Sequence, residues 1–113
     1  MSCLFCKIAA GEIPAHIVFE NNELLAFRDI HPEAPTHVLI IPKRHIETLD
    51  HADTMDAMLL GQMILTAKHI AKEEGLNETG YRLVFNVNQQ GGQTVYHIHL
   101  HLIGGRQMTW PPG

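Results

Sequence analysis

Val95-Tyr96-His97-Ile98-His99-Leu100-His101-Leu102-Ile103 alternates imidazole and aliphatic side chains from position 97 to position 102. A strand sends successive side chains to opposite faces. The stretch therefore predicts a strand over residues 95–103 in which Ile98, Leu100 and Leu102 seal a core. His97, His99 and His101 share the other face, at steps of about 6–7 Å. A core has no use for such a row. Histidine is the side chain that changes charge near neutrality, so the row points to proton transfer, nucleophilic attack or metal binding.

The residues just before it narrow that choice. Asn88-Gln89-Gln90-Gly91-Gly92-Gln93-Thr94 is a polar loop with two adjacent glycines. Glycine lets the backbone turn and come close to a ligand, and successive backbone N–H groups in such a turn make a concave anion site. Gln93 and Thr94 add side-chain donors. An anion cradle beside imidazoles fits chemistry at phosphorus better than chemistry at a carbonyl.

Further upstream, Tyr81–Val87 reads as a strand entering this loop. A long helix is predicted from about Thr54 to Glu74, with Asp53 as N-cap and Gly75 as stop. Met55, Met58, Leu59, Met63, Ala67, Ile70 and Ala71 form its apolar stripe. Lys43 to Leu49 suggests a short helix. His37–Ile41 is the most apolar strand and is expected at the centre of the sheet. Ile17–Glu20 and Leu24–Arg28 read as a hairpin turned at Asn21-Asn22, and Cys3–Ala10 as a short helix or turn stopped by Gly11. The expected fold is α+β, an antiparallel sheet of about five strands with one long helix packed on it.

With 113 residues, 45% hydrophobic and 18% charged, residues 1–113 are expected to form a single domain. The formal net charge of −4 argues against a nucleic-acid polymer as partner, because phosphate backbones want clustered Lys and Arg. The compact basic run Lys43-Arg44 reads as a solvated turn. The first ten residues lack the basic-then-apolar pattern of a secretory leader, and no apolar run reaches membrane-spanning length. Two cysteines three positions apart do not suggest a fold-stapling disulfide, so a reducing cytoplasm is the expected location.

Gly92-Gln93-Thr94-Val95-Tyr96-His97-Ile98-His99-Leu100-His101-Leu102 resembles the signature of the histidine-triad (HIT) superfamily. The resemblance continues through Gly104-Gly105-Arg106-Gln107-Met108 and Trp110-Pro111-Pro112-Gly113. Upstream it includes Ala26-Phe27-Arg28-Asp29-Ile30, Ala34-Pro35-Thr36-His37 and Ile41-Pro42-Lys43-Arg44-His45. It spans nearly the whole chain and is nearest to the Hint branch, the purine nucleoside phosphoramidases. It implies a HIT-like protomer in a two-fold homodimer, a purine nucleotide substrate, and no cofactor required for catalysis.

The resemblance assigns His99 to a covalent nucleotidyl intermediate that water later hydrolyses. An imidazole attacks only through an unprotonated nitrogen, and a carbonyl accepting from the other nitrogen fixes that tautomer. His101 faces the same way and is expected to hold a non-bridging phosphoryl oxygen. Thr94 stands where many relatives have serine; it keeps the hydroxyl, and its extra methyl bears on the leaving group. Gln93 and the Gly92 backbone would complete the phosphate cradle. Asp29 would accept from the ribose hydroxyls, with Phe27 and Ile30 as walls for the base. Asn86 would reach the sugar–phosphate end, and His37 is given a supporting role. Read as residues alone, Asp29 is more often a turn residue or cap, and Asn86 is a strand-end polar group.

Cys3-Leu4-Phe5-Cys6 has zinc spacing but supplies two ligands where a closed structural site needs four. Some HIT members with this pair bind zinc through two further histidines, which correspond here to His45 and His97. A Cys₂His₂ site and a pair of free or redox-active thiols both stay open. Three functional readings also remain. They are a phosphoramidase, or within enzymes a dinucleoside polyphosphate hydrolase; a catalytically weak nucleotide-binding interaction module; and a metal-binding protein using the histidine row directly.

Overall fold

The computed structural model describes residues 3–113. In chain order the elements are α1 (Leu4–Ala9), β1 (Ile17–Glu20), β2 (Leu24–Arg28), β3 (Thr36–Pro42), α2 (Ala57–Glu73), β4 (Tyr81–Phe85) and β5 (Leu100–Gly104). The strands form one antiparallel sheet in the order β1-β2-β3-β5-β4. β3, the most apolar run, is central as its sequence requires.

Alternation along the strands sorts the side chains into two layers. Leu24, Ala26, Val38, Ile40, Leu100 and Leu102 pack with Met63, Ala67, Ile70 and Ala71 of α2. Leu25, Phe27, Leu39 and Ile41 point the other way and pack under Phe5 and Ile8 of α1. One face of the sheet is therefore the main core, and the other, roofed by the short helix, carries the histidines. Leu102 is 0% exposed. Leu102→Ala is expected to cost about 2–5 kcal/mol, read as a lower urea midpoint at unchanged slope.

α2 is entered through a 3₁₀ turn, Thr54–Asp56, where Asp53 and Asp56 form a reciprocal capping box. The helix ends before Gly75, whose φ of +77° suits glycine. The expected apolar stripe is right from Leu59 onward and wrong at its start. Met55 is 90% exposed and Met58 75%. Met55 precedes the helix. Met58 lies five residues before Met63, about 140° round the axis from it.

Two further expectations are corrected. Residues 43–48 are not helical; the 3₁₀ turn Leu49–His51 follows instead. Long-range bonds hold this stretch: Ile46 accepts from Ile98 N–H, and Glu47 accepts from the Gln93 amide. The last strand begins at Leu100 rather than Val95, and β4 stops at Phe85. Ahead of Leu100 the chain leaves the ladder, because the His97 ring occupies the Pro42 carbonyl and Ile98 bonds Ile46. Only His101 of the row lies in the sheet. The alternation persists without the ladder: Ile98 still joins the α2 side of the core.

Candidate active site and metal-ligating cluster

His37 on β3 and His101 on β5 share a sheet face, with Leu39 opposite His101 in register. The rings of His99 and His101 lie 5.0 Å apart, and those of His37 and His101 5.2 Å apart. Backbone groups fix which nitrogen of each ring carries its proton. His99 Nδ1 donates to the His97 carbonyl at 2.8 Å, which leaves Nε2 with a free lone pair. Glu33 N–H donates to His37 Nδ1 at 3.0 Å, so the His37 proton is on Nε2. That N–H lies 2.9 Å from His101 Nδ1 and 3.5 Å from Asp29 Oδ2. His101 Nδ1 must accept, so its proton is on Nε2. His101 Nε2 is buried and has no hydrogen-bond partner among the described residues. Such an orphaned buried donor costs stability unless a ligand satisfies it.

Burial also disfavours the charged forms of His99 and His101. It pushes the His99 imidazole below its usual value despite the bond to the His97 carbonyl. His101 is pushed from 6.5 down to about 4, first by burial and then by the neighbouring His99 and His37. An unfolded chain binds this proton near 6.5, so unfolding takes up a proton between pH 6.5 and 4. The stabilisation is whole above that window and is lost as pH falls through it. The urea midpoint is expected to drop from pH 7 to pH 4, and to drop less in His101→Asn.

The two rings close one end of a cavity of about 330 Å³. Phe27, Asp29, Ile30 and Thr94 line it, as the sequence suggests, together with Leu39. Asp29 also serves as a turn residue: Oδ1 accepts from His31 N–H at 2.8 Å. Leu4, Phe5, Ile8, Ile13 and Ala15 supply much of the remaining apolar wall. The sequence reading missed these five. Their signal was the apolar face of Leu4-Phe5-Ile8 one turn from the cysteines, which has no periodicity long enough to stand out.

Four expected contributors are absent from the lining; of these His37 stands behind His101, with its Nε2 2.9 Å from His101 Nδ1. Gln93 is buried, and its amide is spent: Nε2 donates to the Glu47 and Val95 carbonyls, and Oε1 accepts from Asn88 N–H. It braces the loop and is not a phosphate donor. The Gly92 N–H is bonded to the Gln89 carbonyl, so this amide does not supply the cradle either. Asn86 follows β4 and is only half-buried. Gly91 is required sterically, since a Cβ there would lie 2.4 Å from the Val87 oxygen.

Cys3, Cys6, His45 and His97 form a separate cluster, with one donor atom from each within 4.8 Å of the others. His97 Nε2 donates to the Pro42 carbonyl at 2.7 Å, so its Nδ1 is a free lone pair. That Nδ1 lies 3.5 Å from each sulfur and 3.2 Å from His45 Nδ1. Cys6 Sγ is 3.3 Å from His45 Nδ1. A tetrahedral zinc at ordinary bond lengths would put N···N edges at about 3.3 Å and N···S edges at about 3.5 Å. The donor set and its edges fit zinc, and the bond from His97 to Pro42 is the outer partner such a ligand usually has. A second trio, Asp29, His37 and His101, also converges, but the Glu33 amide leaves its His37 nitrogen protonated.

The family model of the HIT domain matches residues 10–108. A solved HIT family hydrolase from Legionella pneumophila superposes with a TM-score of 0.98 at 66% identity, covering 99% of this chain and all of that one. A protein named adenylylsulfatase HINT1 from Arabidopsis thaliana is 53% identical over 97% of this chain and 76% of its own length. A 14 kDa zinc-binding protein from Brassica juncea is 52% identical over 97% of this chain and 98% of its own. Among the described residues no helix is long and apolar enough to cross a membrane.

Proposed function

The chain belongs to the HIT domain family, and from that premise we propose that it is a hydrolase of purine nucleoside 5′-phosphoramidates and related mixed adenylates. The observation that carries this reading is the pairing of His99 Nε2, a free lone pair, with the orphaned N–H of His101 at one end of an apolar cavity.

In this reading His99 Nε2 attacks phosphorus while its Nδ1–H stays on the His97 carbonyl. The P–N bond breaks and a nucleotidyl-histidine forms. Water then attacks phosphorus and releases AMP. The departing amine takes a proton from solvent as the P–N bond breaks, and the water of the second step returns one to solvent as its hydroxyl ends on phosphorus. His101 Nε2–H and the Thr94 hydroxyl donate to the non-bridging oxygens as charge develops. The apolar walls take the base.

Cys3, Cys6, His45 and His97 would hold zinc. Bound there it would supply structural closure and no open coordination position for substrate, since all four positions are filled by protein. The chain would act as a single domain in a two-fold homodimer in the cytoplasm.

The direct test is incubation with adenosine 5′-phosphoramidate, lysyl-AMP, adenylyl sulfate and diadenosine polyphosphate, following AMP release. Fastest turnover of the phosphoramidate supports the reading; fastest turnover of another substrate reassigns the leaving group. Asp29→Asn is expected to lower kcat/KM for a ribonucleoside phosphoramidate by about fivefold to tenfold. A charged acceptor contributes about 1.5–3 kcal/mol against roughly 1 for a neutral one. The 2′-deoxy substrate should lose less. An unchanged ribo-to-deoxy ratio would leave Asp29 with only its turn role.

A further inference from the structure

Cys3-Leu4-Phe5-Cys6 places two metal-binding thiols and two cavity walls on a single turn. The sulfurs face His45 and His97, while Leu4 and Phe5 between them line the cavity. Phe5 is 5% exposed. Its ring meets His99 edge-on, with centroids 5.1 Å apart at 88°, and also touches His97 and Phe27. A second path reaches the same imidazole. His97 turns its Nδ1 to the cluster and its carbonyl to His99 Nδ1–H. The attacking ring is thus held by one peptide and one aromatic edge, and both are anchored on the four-residue centre.

Little else holds this arrangement. α1 has six residues, and a helix that short does not persist by itself. Its N-terminal cap is Cys3, whose sulfur accepts from Cys6 N–H at 3.4 Å. Without closure of the centre, the clasp on α1 is reduced to apolar packing, chiefly of Phe5 and Ile8 with Ala9 and Ile13 against them.

We infer that Cys3 and Cys6 are positioning residues for the hydrolysis, so that zinc binding at the Cys₂His₂ centre and nucleotide binding in the cavity are coupled through Phe5 and the His97 peptide. The inference rests on the nucleotide reading of the cavity. Coupling between two ligands is reciprocal: each must change the affinity of the other by the same factor.

The test uses the full chain and measures no turnover. The zinc dissociation constant is read by competition with a chromophoric chelator, with and without saturating AMP. The AMP dissociation constant is read by calorimetry on zinc-loaded and zinc-free chain. Both ratios should agree at about fivefold or more. In Phe5→Leu, which keeps both thiols, zinc should still bind and the ratio should fall toward one. In the zinc-free chain the ring ¹⁵N shifts of His99 should move toward averaging of the two tautomers. A ratio of one in the native chain overturns the inference and leaves the nucleotide reading intact. So does failure to bind zinc. Coupling undiminished in Phe5→Leu, or a zinc-free chain unfolded by circular dichroism, makes the metal a general folding requirement and overturns positioning. If AMP binds neither form, the nucleotide reading falls and the inference falls with it.

Discussion

His99→Ala is expected to lower kcat on purine nucleoside phosphoramidates by on the order of 10⁴-fold or more, with AMP affinity within a few fold of native. The size follows from losing a nucleophile rather than a contact: the remaining groups bind and polarise the substrate but form no bond to phosphorus. AMP affinity survives because the apolar walls, Asp29 and Thr94 are untouched by the change. Two measurements check this. Steady-state rates give the loss, and rapid quench with mass analysis should find a nucleotidyl adduct on the native chain and none on the variant. A near-native rate in His99→Ala would remove covalent catalysis from the mechanism.

The second large effect is expected at His101. His101→Ala should reduce kcat by about 10²–10³-fold, the usual loss for a preorganised donor to a developing oxyanion. KM should change much less. The argument rests on the unpartnered Nε2–H and on the chain of donors from the Glu33 amide through His37 that fixes it. His101→Asn restores a short amide donor at this position and should recover part of the loss. A rise in KM with kcat unchanged would mean that His101 contributes equally to ground-state and transition-state binding.

Much of this molecule could be read from single residues. The hairpin β1–β2, the central β3 and the body of α2 follow from alternation, turn chemistry and helical spacing, which are local. The His99 tautomer was also legible in outline, because an attacking imidazole needs a carbonyl on its far side. What escaped was decided by competition for hydrogen bonds. Gln93 reads as a free donor because nothing local reveals that Glu47 and Val95 will claim its amide. Residues 43–49 read as helical because nothing local reveals that Ile98 and Gln93 will take the carbonyls of Ile46 and Glu47. His97 and His99 read as strand residues because a side-chain bond to Pro42, which displaces a ladder bond, leaves no trace in the alternation.

Strand order has a bearing on biosynthesis. β5 is the last strand to leave the ribosome, yet it sits between β3 and β4. A nascent chain that has reached only β4 carries β3 with one bare edge and β4 with no neighbour. It also lacks His97, His99 and His101. Unfinished or prematurely terminated copies therefore lack the nucleophile of the proposed reaction, and their open edges make them natural clients for chaperones and proteases.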